Sequence, residues 1–156
     1  MDQTLIDVSI VPFSLIFNFT ILIMFVLRGQ ERTRTEAKLS PVTNALLIPF
    51  SLLWALNVLN GSDAGRIITS FPFIIFLAFD LWYRTIKREK PYHHPDRWPL
   101  SLYAYLILYE LSGIMLSGYA FIVSRLDGYV VLASYIGSIA AYGYYQYKYN
   151  THKKAS

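Results

Sequence analysis

Apolar residues in this chain come in long runs separated by short charged stretches. They show neither the two-residue alternation of a half-buried strand nor the one-sided stripe of a water-facing helix. The first run, residues 5–27, has 23 residues and as a helix reaches about 34 Å, enough to cross the hydrocarbon of a bilayer. The second, 41–60, follows Ser40 as an N-cap, puts Pro41 in the first turn where no amide is needed, and stops at Asn60-Gly61. Ser62, Asp63, Ala64 and Gly65 make a tight turn, so the third run, 67–86, returns beside the second. The fourth, 98–124, opens on Trp98-Pro99 and, at 27 residues, is long enough to tilt or to extend into the interface. A short connection at 125–128 leads to the fifth run, 129–147. The pattern predicts an all-α fold: a single domain over 1–156, a polytopic bundle of five transmembrane helices.

Composition agrees with that placement. Charged residues are 15% of the chain against about 25% in soluble domains, and mean hydropathy is +0.36. With no cysteine, disulfides, thiolate chemistry, iron–sulfur ligation and zinc–sulfur sites are excluded. The net charge of +4 is a matter of topology. Twelve basic residues (Arg28, Arg32, Arg34, Lys38, Arg84, Lys87, Arg88, Lys90, Arg97, Lys148, Lys153 and Lys154) fall on one side of the five runs, and only Arg66 and Arg125 on the other. Because cytoplasmic loops retain lysine and arginine, the N-terminus is expected outside and the C-terminus in the cytoplasm. The opening Met1-Asp2-Gln3 carries no basic n-region, so the first run is expected to stay as a span of a multi-pass plasma or cell membrane protein. Anionic headgroups at the cytoplasmic face, and no nucleic acid, are the expected partners.

Small residues then point to packing. Ala133, Gly137 and Ala141, flanked by Ser134 and Ser138, make a smooth stripe on the fifth run, and Gly113 with Ser117 offers a matching strip on the fourth, so these two are expected to pack together. Pro12, Pro49 and Pro72 sit inside the first three runs and predict kinks. Tyr142, Tyr144, Tyr145, Tyr147 and Tyr149, with Trp82, Tyr83 and Trp98, read as an aromatic belt at the inner interface.

Glu110 is the sharpest chemical signal, because it falls at the middle of the fourth run, where a carboxylate must be protonated, paired or turned inward. Asn18, at similar depth on the first run, is the expected acceptor for a protonated Glu110, together with a carbonyl freed by Pro49. Asp80 stands four residues before Arg84, an acid–base pair one turn apart, and Asp7 with Asn57 approaches the outer side near Arg66. Glu110, Asn18, Asp80 and Asn57 are thus the candidates for transport or ligand binding. Between the third and fourth runs, Lys87, Arg88, Lys90, His93, His94 and Arg97 form a proline-stiffened basic loop suited to binding headgroups. Its adjacent histidines lack the spacing of metal ligands, so no metal is expected, and no cofactor either. Phosphate-loop, nucleophile-elbow, HExxH and DDxxD motifs are missing, as is any histidine or lysine inside a span for haem or retinal.

Three functions fit these residues. One is a carrier or channel for protons, cations or a small solute working through Glu110. Another is a non-catalytic subunit of a larger membrane complex. The third is an inner-leaflet lipid-modifying enzyme using Asp80, His93, His94, Asp96 and Arg97, and no catalytic residue is assigned beyond that set. Because five short helices enclose little space, assembly as a homo-oligomer or within a complex is expected.

Overall fold

A computed structural model describes residues 3–30, 32–83 and 100–155, all of them in helices or the short turns between helices. Helix α1 is Gln3–Gly29, α2 Thr33–Ala45, α3 Leu47–Leu59, α4 Ala64–Leu81, α5 Leu100–Val123 and α6 Arg125–Ala155. Four helical stretches are long and apolar enough to cross a membrane: Gln3–Gly29, Arg34–Leu59 (α2 running into α3), Ala64–Leu81 and Leu100–Val123. Helix α6 falls short of that apolarity because serine, glycine and tyrosine take many positions that leucine and phenylalanine hold elsewhere.

The connections are built from local chemistry. Helix α3 ends in a Schellman motif in which the Ser62 amide donates to the Asn57 carbonyl (3.0 Å), the Gly61 amide donates to Val58 (3.1 Å), and Gly61 takes the left-handed φ of 65° that the motif needs. Asp63 then caps α4 by accepting from the Arg66 amide (3.0 Å). Trp54 of α3 donates its indole N–H to the Ile67 carbonyl of α4 (3.3 Å), closing the hairpin expected from the sequence. Between α5 and α6 a single residue suffices. The Ser124 hydroxyl accepts from the Asp127 amide (3.0 Å) and donates to the Asp127 carboxylate (2.6 Å), a side-chain N-cap for α6. The expected connection at 125–128 is therefore the first turn of α6.

One proline expectation is corrected. Pro41 lies inside α2, not at its start, because Arg28 reaches Glu36 and an additional turn and more of helix forms from Thr33 onward. Helices α1 and α4 run without interruption through Pro12 and Pro72. Only Pro49 coincides with a break: it has no N–H to give the Ala45 carbonyl, and α2 parts from α3 at Leu46.

Neighbouring helices form a ring α3–α4–α5–α6–α1, closed by α1 against α3, with α1 also touching α5. The centre is filled by aromatic rings. Phe17 meets Phe73 at 4.7 Å and Phe76 at 5.6 Å, Phe50 meets Phe73 at 4.5 Å, and Phe76 meets Tyr109 at 5.8 Å. Polarity is inverted relative to a water-soluble bundle. Asp7, Ser14, Asn18, Asn57, Ser70, Asp80, Ser112 and Ser138 are buried, while Leu5, Ile48, Leu52, Ile68, Ile107 and Ile136 cover the exterior.

Close approach of α5 and α6 depends on two glycines. A Cβ on Gly113 would lie 2.2 Å from the Tyr135 ring, and one on Gly128 would lie 2.2 Å from the Phe121 ring. The expected α5–α6 packing is thus present, but its α6 face differs from the small-residue stripe read in the sequence. Ala133 is exposed and Gly137 faces Leu22 of α1, whereas Val131, Tyr135 and Ser138 meet α5. Gly113→Ala is expected to lower the melting temperature in detergent by the equivalent of about 1–3 kcal/mol. Gly118→Ala, whose new Cβ would lie at an ordinary 3.6 Å from Thr69, should leave it unchanged; thermal unfolding followed by circular dichroism compares the two.

Candidate functional site

Polar side chains inside the bundle gather at three levels. At one end, called here the Asp7 end, Asp7 (α1) is buried and accepts a bidentate pair from Arg66 of α4, Nε to Oδ1 at 3.1 Å and Nη2 to Oδ2 at 2.9 Å. Oδ1 also accepts from the Tyr119 hydroxyl of α5 (2.8 Å) and from Gln3 Nε2 (3.0 Å). Asn57 of α3 donates to the Tyr119 oxygen (3.2 Å) and accepts from Gln3 (2.9 Å) and from Ser62 (3.0 Å). Arg66 pairs with Asp63 as well, and those bonds from the Arg66 guanidinium and amide hold the exposed Asp63 carboxyl below its ordinary range. One carboxylate thereby ties α1, α4 and α5 together, with α3 joined through Asn57.

Midway along the bundle, polar residues of α6 face two partners. Asn18 of α1 is fully buried; its Nδ2 donates to the Ser134 hydroxyl (2.9 Å) and to the Val131 carbonyl (3.4 Å), while its Oδ1 accepts no hydrogen bond. The Tyr109 hydroxyl of α5 shares a bond with Ser138 (2.6 Å). Glu110, halfway along α5 and half-buried, accepts from the Tyr135 hydroxyl through Oε2. Glu110 makes no ion pair among the described residues. The expected contact of Glu110 with Asn18 or with a carbonyl freed by Pro49 is overturned. Tyr135 is in reach across the hairpin, and Asn18 lies on the α1 side of α6, where Ser134 takes it.

At the opposite end, Arg28 of α1 holds Glu36 of α2, donating from Nε at 3.2 Å and from Nη2. Glu36 is 1% exposed, and the guanidinium lies over the rings of Phe25 (5.1 Å) and Tyr145 (5.3 Å). Gly29 abuts Tyr144, where a Cβ would lie 2.6 Å from the ring. Asp80 is buried near this end of α4. Its expected partner Arg84 lies outside the described residues, as do Lys87, Arg88, Lys90, His93, His94, Asp96 and Arg97.

Of the four candidates, then, Asn57 joins the Asp7 network, Asn18 the α1–α6 contact and Glu110 the α5–α6 contact, and those three are held by different partners, while Asp80 is buried on α4. Gln3, Ser62, Tyr119, Glu36 and Tyr135 escaped notice as partners. For Tyr135 the signal was there: a hairpin hinged on Ser124 sets Glu110 opposite residues 135–138. Among the described residues no group of three metal-ligating side chains exists. The chain matches no family model, no curated protein and no solved structure.

Removing Arg66 tests the Asp7 network. Arg66→Met is expected to cost about 2–3 kcal/mol, less than a fully buried pair because the Arg66 side chain keeps 21% exposure, and Asp7→Asn in the same chain should recover part of it. Chemical denaturation in mixed micelles measures the loss and the recovery.

Proposed function

We propose that this is an integral membrane protein that crosses the bilayer five times and carries a proton or small cation on Glu110. Support for the fifth crossing comes from the register of α6 on α1. Asn18 meets Ser134, Leu22 meets Gly137 and Gly29 meets Tyr144, so α6 runs parallel to α1 along most of its length, and a bilayer crossed by one is crossed by the other. Its serines and glycines are tolerated because they face neighbouring helices. Charge supports the orientation. Arg28, Arg32, Arg34, Lys38 and Lys148 belong to the end opposite Arg66 and Arg125, which makes the Arg28 end cytoplasmic, with the exposed Arg32, Arg34 and Lys38 available to anionic headgroups.

One observation carries the functional reading: a half-buried carboxylate lies halfway along an apolar helix with a tyrosine hydroxyl for a partner and no cationic partner among the described residues. An ionised group there costs several kcal/mol, so Glu110 rests either protonated or neutralised by a bound cation, and gaining or losing that charge is what a carrier needs. A carrier is favoured over an open channel because Phe17, Phe50, Phe73 and Phe76 fill the centre, leaving the α5–α6 seam as the place of loading.

Reconstituted into vesicles and driven by a pH or sodium gradient, the wild-type chain is expected to pass protons or cations. Glu110→Gln should reduce that flux about a hundredfold or more, in the range of a positioned proton-transfer group. Unchanged flux from a folded Glu110→Gln variant would overturn the carrier.

A further inference from the structure

The two halves of the α5–α6 seam differ on either side of Glu110. Toward the Asp7 end, Gly113 takes the Tyr135 ring, Leu116, Ala120 and Val131 are buried, and Gly128 takes the Phe121 ring. The one hydroxyl of α5 in that stretch near the seam, on Ser117, turns back to the Gly113 carbonyl (2.8 Å). That half is closed and apolar.

Toward the Arg28 end the seam is polar. Ser138 donates to the Tyr135 carbonyl (2.7 Å) while bonded to Tyr109, and Tyr142, two turns beyond Tyr135 on the same face of α6, accepts from Gln146 Nε2 (2.9 Å). Tyr142 and Gln146 are both half-buried, and beside them Gly143 has open space where a Cβ would stand. We propose that Glu110 exchanges its proton or cation only with the Arg28 end, along a polar track made by Tyr142 and Gln146. The inference rests on the reading of Glu110 as the loading group and adds the side from which it is loaded.

Every charged or titratable neighbour is compatible with that direction. On α6 Tyr135 bonds Glu110 and Tyr142 lies two turns beyond it on the same face, and on α5 Tyr109 is the adjacent residue. From α1, Arg28 is paired with Glu36 and lies over the Phe25 ring, which packs 5.1 Å from Tyr142, while Lys148 on α6 and Arg32, Arg34 and Lys38 around α2 stand at the same end. On α4 the acid is Asp80, between Phe76 and Tyr83 in sequence, and both of those rings touch Tyr105, more than a turn from Glu110 toward the Arg28 end. The Asp7–Arg66–Tyr119 network seals the far end.

Dicyclohexylcarbodiimide, an apolar reagent that adds to a protonated carboxyl, reads the charge state of Glu110 without reference to flux. The full chain is placed in vesicles whose orientation is scored by protease access to a C-terminal tag. The pH is then varied on one side at a time, and labelling of residue 110 is followed by mass spectrometry against Glu110→Gln. Labelling should follow the pH at the Arg28 end and ignore the pH at the Asp7 end. Tyr142→Phe with Gln146→Leu should remove that response, and Ser117→Ala should preserve it. Labelling that follows the Asp7 end, follows both ends equally, survives the Tyr142/Gln146 double substitution unaltered, or never reaches residue 110 overturns the proposal. Since labelling does not require transport, a lost carrier activity and a lost sidedness are separate results.

Discussion

Among the described residues the Tyr135 hydroxyl is the side chain that bonds the Glu110 carboxylate, and its position depends on a missing methyl group. With any side chain at residue 113 the Tyr135 ring could not lie against α5, and the carboxylate would face hydrocarbon with nothing to bond. Lipid drives helices together only weakly, so a bundle of this kind owes its geometry to such close approaches and to the few polar contacts they permit. Helix α6 concentrates both. Its α1 side presents Ser134 to Asn18, its α5 side presents Tyr135 and Ser138 to Glu110 and Tyr109, and Gly128 and Gly137 keep the backbones near.

The polar contacts divide the work by depth. At the Asp7 end a bidentate ion pair with three further donors and acceptors fixes α1, α3, α4 and α5 to one another. At the Arg28 end a second ion pair under two aromatic rings anchors α2 on α1 and α6. Both pairs bring opposite charges into contact, although the buried Oε2 of Glu36 accepts no hydrogen bond among the described residues. Glu110, between them, has no ion pair among the described residues and is bonded to the Tyr135 hydroxyl.

Long features were legible in the sequence and lateral ones were not. Twenty apolar residues in a row announce a spanning helix regardless of neighbours, and Asn60-Gly61 announces its end, because only the local backbone decides a Schellman turn. The charge partition and the mid-helix position of Glu110 are equally local facts. Partners are not. Whether Glu110 meets Asn18 or Tyr135 depends on which face of α6 points where, and a rotation of α6 by one residue would exchange Ser134 for Tyr135. Helix α2 was missed for a related reason: residues 33–45 are polar and contain Pro41, so nothing local favours a membrane-type helix, and the Arg28–Glu36 pair that accompanies it joins residues of two different helices. The N-cap at Ser124 could have been read, since a serine with an acid three residues on marks a helix start, and it would have placed α6 in register with α5 from the outset.

Whether α6 crosses the bilayer decides whether the α5–α6 seam that holds Glu110 spans the membrane, and with it the proposed carrier. The chain has no cysteine, so a single one introduced at Asn60, exposed at the Asp7 end, or at Thr151, exposed on the last turns of α6, is the only target for a membrane-impermeant maleimide on intact cells. Five crossings predict labelling of Asn60→Cys from outside and of Thr151→Cys only after the cells are opened. Labelling of both from the same side would contradict a fifth crossing and remove the membrane-spanning α5–α6 seam on which the carrier rests.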